Sequence, residues 1–366
     1  MVTKKIFGLL AICIVILLPA CGGGSGNGSG GGVGPSHYLF ATVPTQSAIA
    51  ALRMDSHSAA MTSVVGGPFQ AGMSPTSIVV HPNGKFAYVA NQTGNDISLF
   101  TIDHNTGALT EVMPRTPAGV TPVFLAMDSG GNFLFAANQS SGNVSVYSIN
   151  SGSGALTEVA GSPFPANLSP VALALSPTGN FLYVANVDLA SVTAFSVSSG
   201  VLQQLPQSPF PAGHAPMSVA VDPSGNFLYV ANSRDNTISI FSTDSSGALT
   251  EVPSSPFDVG TNPVAVTVGT TVKVLYVANQ GSSNISVFTV DATTGLPTAL
   301  SGSPFTANGA PQVMAVDSTG NFLLVSTESN NTISAIKIDS TTGGLGGGVA
   351  ASSMVGFPGT SIATTK

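Results

Sequence analysis

Asn226-Phe-Leu-Tyr-Val-Ala-Asn232 decides the fold, because it returns in altered form along almost the whole chain. Copies stand at 85–91, 132–138, 180–186, 273–279 and 321–327, and His37-Tyr-Leu-Phe-Ala-Thr42 is a worn one. The closing residues fall at 42, 91, 138, 186, 232, 279 and 327, at spacings of 49, 47, 48, 46, 47 and 48. A near-constant period of this length means a repeat architecture, in which each unit covers the apolar face of its neighbour.

The unit around this stretch reads as four strands, at 217–222, 227–232, 237–242 and 249–252. Pro223-Ser-Gly225 and Ser245-Ser-Gly247 supply the turn residues between the first and the last pair. The second run is apolar at nearly every position, so both of its faces are covered. The third alternates, as a strand nearer a rim does. The first carries small residues (Ser218, Ala220, Ala172, Ala174, Ala265), which suit sheets crowded around one axis.

Composition agrees. Charged residues make up 7% and hydrophobic ones 43%, with 42 Gly and 25 Pro. That apolar content excludes disorder, and the Gly and Pro load excludes long helices. Four-stranded sheets repeated radially make a β-propeller. Tyr38 opens on a second-strand pattern with no first strand before it, and 358–364 echoes the first-strand pattern of 75–80. First strands begin near 77, 123, 171, 217, 264, 312 and 360. The expectation is an all-β, seven-bladed propeller of four-stranded antiparallel blades, its ring closed by the C-terminal strand pairing with the N-terminal blade.

Lys4, Lys5 and the apolar run 6–18 form a secretory signal, and Leu18-Pro-Ala-Cys21 resembles a bacterial lipobox. The division is then 1–20 signal peptide, 21–36 lipidated Cys21 with a Gly/Ser tether, and 37–366 propeller. An ordinary secretory signal with an incidental Cys is the alternative. Cys13 leaves with the signal, so no disulfide is expected. The tether reaches roughly 20 Å. Gly22 after the Cys suggests an outer-membrane or cell-surface lipoprotein, held to the membrane by its acyl chains. A net charge of -7 makes nucleic acid a poor partner. The partners expected are an envelope protein or glycan, and the chain reads as a monomer.

With Tyr-Val-Ala-Asn at 88–91, 183–186, 229–232 and 276–279, the repeat resembles the YVTN-type, lactonase-like seven-bladed propellers of bacteria. Ser-Pro-Phe at 162–164, 208–210, 255–257 and 303–305 and Gly-Ala-Leu-Thr-Glu at 107–111, 154–158 and 247–251 extend the likeness over the chain after the tether. It implies the fold, and as an activity the hydrolysis of sugar lactones of the 6-phosphogluconolactone kind. Hydrolase-like members of that family tend to carry Pro-Arg-His entering a first strand and Asn-Glu-Leu ending a second. Here the corresponding triplets include Pro216-Met-Ser, Pro263-Val-Ala and Pro311-Gln-Val, and none has the Arg or the His. Thr327-Glu-Ser329 alone keeps an acid.

Five Asn residues (91, 138, 186, 232, 279) recur around the ring, which marks a structural role, that of bonding the backbone of the following loop. The Phe residues at 69, 164, 210, 257 and 305 read as packing between blades, and the second blade, with Pro114-Arg-Thr-Pro117 instead, as slightly looser. Residues that break the repeat say more. Asp188, His214, Arg234, Asp235 and Glu328, with Asp96, fall on loops of one rim, where a His, an Arg and carboxylates could bind an anion or act as acid and base. His81, Asp128, Asp222 and Asp317 suit turns at the opposite mouth. His37, His57 and His104 read as exposed, without metal-ligand spacing. No catalytic residue, cofactor or metal is assigned. The reading is a lipid-anchored, non-catalytic binding or scaffold propeller, with a sugar-lactone hydrolase as its alternative.

Overall fold

Strand patterns repeated at one period fold into seven antiparallel sheets, each presenting its apolar faces to the next. The structure, a computed structural model, describes residues 36–269, 273–355 and 360–365. Cys21 and the tether lie outside them. Apart from one 3-10 turn at Pro44–Gln46, regular structure among the described residues is strand. Blade five holds Pro216–Val221, Phe227–Asn232, Thr237–Thr243 and Leu249–Glu251 in that order across its sheet. The short strand Phe257–Asp258, which the sequence pattern does not announce, adds to the third strand beyond the outer one.

The ring closes as expected. Ile362–Thr364 pairs with Ser36–Val43, giving the first blade an inner strand taken from the far end of the chain. One register is corrected. The first repeat ends at Val43, not Thr42, because Val43 pairs with Ala48 across the hairpin as Asn91 pairs with Asp96.

Blades are held together mainly by packing. Each second strand is buried almost completely, and Tyr88, Tyr183, Tyr229 and Tyr276 are at most 1% exposed. Fully burying one large apolar side chain contributes about 1.5–3 kcal/mol, against about 1 kcal/mol for a hydrogen bond. The polar contacts therefore fix register more than they supply stability. Tyr229 donates to the Gly295 carbonyl of the next blade (3.1 Å), and Tyr88 and Tyr276 do the same to Gly154 and Gly343. The small inner-strand residues have a second use. Ser77 Oγ accepts from Leu125 N (2.9 Å), Ser218 Oγ from Val266 N (3.2 Å) and Ser361 Oγ from Ile78 N (3.1 Å), joining neighbouring inner strands around the axis.

Ser-Pro-Phe also gains a physical account. The Ser hydroxyl accepts a third-strand N–H, as Ser255 does from Ile240 and Ser303 from Val287, and interrupts the outer strand. Phe257 then meets Phe288 of the next blade edge-on, with ring centroids 5.4 Å apart. In blade two, which lacks the motif, the outer strand runs unbroken over Leu109–Pro117 and stays paired with the third from Ile102 to Asp96. The motif's absence there lengthens the pairing, where the sequence suggests a looser blade.

Candidate functional site

Loops entering the inner strands and loops joining the second to the third strand meet on one face. Their backbones bond to each other, as in Arg234 N to His214 O (3.3 Å) and Gly281 N to Thr261 O (3.0 Å). At the top of the described inner strands of blades two to seven a β-bulge follows the first Pro. A bulge re-aims one side chain out of the ladder. The re-aimed residues are Thr76, Val123, Val171, Met217, Val264 and Gln312, a ring of small or apolar side chains broken by one amide.

That amide marks a polar cluster. Gln312 is 1% exposed, and its Nε2 donates to Glu328 Oε2 at 2.8 Å. Gln280, on blade six, donates to the same oxygen at 3.2 Å and accepts from Asn262 Nδ2 at 2.8 Å. Among the described residues Gln312 Oε1 is buried without a hydrogen-bond partner, as are the Oδ1 atoms of Asn91, Asn138, Asn186, Asn232 and Asn279. A buried acceptor of this kind costs about 1–3 kcal/mol unless something donates to it. The exposed Glu328 carboxylate thus accepts from two amides, one of them on a buried side chain.

The other rim residues divide among blades. Asp235 accepts from the His214 backbone N–H (2.6 Å) and pairs with His214 Nδ1 (3.0 Å), both within blade five. The backbone hydrogen bond, then the His214 ring, holds the Asp235 carboxyl below its usual range. Asp188 accepts from Ser169 Oγ on blade four. The Arg234 side chain makes no hydrogen bond or ion pair among the described residues, and Glu328 stands apart on blade seven. The five residues therefore form three local groups, with Arg234 free.

Several repeat positions are clarified. The amides of Asn91, Asn138, Asn232 and Asn279 donate to side chains of the third strand, for example Asn232 Nδ2 to Ser239 Oγ at 2.9 Å. The expected bond to loop backbone is replaced because the glycine of the incoming loop covers the amide; a Cβ on Gly213 would lie 2.5 Å from Asn232 Cγ. Asp128, Asp222 and Asp317 do serve turns, each accepting from the N–H that opens its second strand. His81 is buried and bonded to Gly131 O (2.9 Å). His37 is corrected: it is buried, its Nε2 lies 3.9 Å from Asp317, and desolvation lowers its pKa while Asp317 opposes the shift.

Among the described residues no group of three or more His, Cys, Asp or Glu could hold a metal ion. No described helix is long and apolar enough to cross a membrane. A cavity of about 330 Å³ opens at the seam of blades one and seven, between Leu52, Val64, Pro68, Met354 and Val355. It has no acid or base in its lining.

Sequence reasoning misses Gln312 and Gln280, although a signal exists. Glutamine at 312 stands where the other first strands have Thr, Val or Met, and Glu328 stands where three repeats have Gln (92, 139, 280).

Comparison with known proteins agrees with this architecture. The family described as "Lactonase, 7-bladed beta-propeller" matches over residues 46–165, 160–268 and 256–358. Among solved structures, a candidate 6-phosphogluconolactonase from Bacteroides uniformis superposes with a TM-score of 0.77 at 19% identity, covering 90% of this chain and 99% of that one. The periplasmic gluconolactonase PpgL of Pseudomonas aeruginosa gives 0.75 at 19% identity, with 90% and 99% covered. A Lactobacillus plantarum protein gives 0.75 at 21% identity over the same shares. No curated protein matches the sequence.

Proposed function

This chain belongs to the lactonase, seven-bladed β-propeller family, and on that premise we propose that its mouth at blades six and seven binds a lactone and opens it by hydrolysis. The observation that carries the reading is the Glu328 carboxylate held by Gln280 and Gln312 beside an unpartnered buried acceptor. In the family resemblance, Gln312 falls at the Arg of Pro-Arg-His and Glu328 at the acid of Asn-Glu-Leu, both on blade seven. The acid is kept while the cation is replaced by a neutral amide.

Glu328 acts as the proton acceptor. Water attacks the lactone carbonyl, forming a C–O bond, and its proton passes to the carboxylate. The ring C–O bond breaks, and the leaving alkoxide takes that proton to give the open hydroxy acid. The two amides orient the carboxylate, and Gln312 Oε1 accepts from a ligand hydroxyl. A lactone panel with Glu328→Gln tests this. Turnover should fall by about 10²–10⁴-fold, the usual contribution of a positioned base. Activity that survives the change, or its absence on every lactone, would leave the second reading: binding without turnover, which the loss of the Arg favours.

In either case we hold that the protein is a lipid-anchored envelope protein. The second strand of blade one starts at Ser36 on the face opposite the mouth, so an anchored tether before it would leave the mouth open to solutes. Cys21→Ser should then move the protein from the membrane to the soluble fraction. Unchanged detergent partitioning would remove the anchor from the reading.

A further inference from the structure

We propose that Asn262 is a positioning residue of this mouth: acting through Gln280, it helps load one oxygen of Glu328 with donors and leaves the other free to take the proton of the attacking water. The chemistry rests on the lactone reading of Glu328, whereas the contacts can be tested without turnover. Asn262 Nδ2 donates to Gln280 Oε1 at 2.8 Å, and Gln280 Nε2 donates to Glu328 Oε2 at 3.2 Å. Gln312 Nε2 donates to the same Oε2 at 2.8 Å. Among the described residues nothing donates to Glu328 Oε1.

The direction of this relay follows from the groups themselves. An ionised carboxylate only accepts, so Gln280 must turn its NH2 toward Glu328. Its carbonyl oxygen then faces the loop that enters blade six, where Asn262 supplies the donor. Asn262 is itself fixed: its backbone N–H donates to Asn236 Oδ1 of blade five at 2.8 Å, and its carbonyl accepts from Gln280 N at 3.0 Å. Its φ of +52° is left-handed, a conformation that Asn adopts more readily than most residues.

Two other blades show what the position does without Asn. Blades two and three carry Gln92 and Gln139 where blade six has Gln280, and Ser74 and Thr121 where it has Asn262. The backbone is shared, since Gln92 N donates to Ser74 O and Gln139 N to Thr121 O, both at 2.9 Å. Yet neither glutamine amide makes a hydrogen bond among the described residues, and Thr121 Oγ1 accepts from Ser140 instead. The side chain at 262, not the loop, therefore sets the Gln280 amide. The next blade after Gln280 offers it Glu328, whereas those after Gln92 and Gln139 offer Gln139 and Val187.

The test compares the full chain with Asn262→Asp, Glu328→Gln and the double variant, by chemical denaturation and by hydrolysis of gluconolactone. An aspartate at 262 only accepts, so Gln280 must turn its NH2 that way and set its carbonyl oxygen against Glu328. Glu328→Gln restores a donor at the far end. The folding constant of the double variant should therefore exceed the value expected from the single changes by about five-fold. In a Gln280→Met background this coupling should vanish. Coupling that survives there is charge repulsion alone and overturns the proposal, as do additive losses. If Asn262→Asp melts too early, Asn262→Thr replaces it, since Thr121 holds the same place at a φ of +61°. The Gln280 side-chain amide resonances should then move toward those of Gln92 and Gln139, and unchanged resonances overturn the proposal. With gluconolactone, Asn262→Asp should lower kcat about 10–10²-fold and change KM less than about two-fold. Full kcat in that variant beside its loss in Glu328→Gln overturns the relay and keeps the hydrolase reading. Coupling in a parent that hydrolyses no lactone keeps Asn262 as the residue that orients Glu328 and sinks that reading.

Discussion

In blade five the bulge at the top of the inner strand holds Met217, and the second strand ends in Asn232-Ser233. In blade seven the same positions hold Gln312 and Thr327-Glu328. Asn232 closes its blade internally, its amide bonding Thr237 and Ser239 of the third strand. Thr327 makes a smaller version of that closure through Thr332 Oγ1 at 2.9 Å. Glu328 instead bonds outward, to Gln280 of the preceding blade and to the inner-strand Gln312. The backbone register is shared, so the repeat supplies a fixed platform and a few substitutions on one blade supply the chemistry.

Changes to the platform should then act alike in every blade. The largest effect should come from removing 360–366. The strand Ile362–Thr364 leaves, Tyr38 loses the bond from its N–H to Thr365 Oγ1 (2.9 Å), and an inner edge opens at blade one. Exposed edges aggregate. Loss of cooperative melting or insolubility is expected, and a truncated protein melting within a degree or two of the parent would show that closure contributes little.

Next in size are Gly247→Ala in blade five and Gly343→Ala in blade seven. Both glycines have positive φ, +79° and +73°, and a Cβ would fall 2.3 Å from Phe181 and Val274 side chains respectively. Left-handed strain and overpacking together should cost about 2–4 kcal/mol in each case. Chemical denaturation measures this. Costs differing by more than a factor of two would break the equivalence of the blades.

The smallest effect should appear in acid. Asp244 of blade five and Asp339 of blade seven each hold a turn, with side-chain and backbone donors from the turn keeping their carboxyls below the usual range. Groups with depressed folded values stabilise fully above the unfolded value of about 3.9, and that contribution is lost as pH falls through the folded values. Both carboxyls are fully exposed, so the loss is modest. Asp244→Asn and Asp339→Asn should each weaken the fall in melting temperature below pH 4 to a similar, small degree. A steeper fall in either variant would contradict the assignment.

Much is legible in advance because a repeat states its own rule several times. Tyr229 and its counterparts, the turns at 223–225 and 245–247, and the orphan strand at the C-terminus all point to one closed ring. The end of the first repeat is displaced by one residue in the sequence pattern, since Val43 replaces the Asn that marks the position elsewhere and only cross-strand pairing reveals it. His37 reads as exposed because a strand-flanking His in a sparse sequence looks solvated. It is covered by the closing blade, whose Asp317 is 280 residues away in sequence.

By itself, then, the sequence determined the architecture: period, strand pattern and turn chemistry are local properties, and they agree in every unit. Tertiary structure alone decided which polar residues act together. His214, Arg234, Asp235, Asp188 and Glu328 share a rim in sequence logic, yet a propeller separates blades by a rotation about the axis. Side chains at equivalent positions therefore diverge, while Gln280, Gln312 and Glu328, unequal in position, converge where two blades meet.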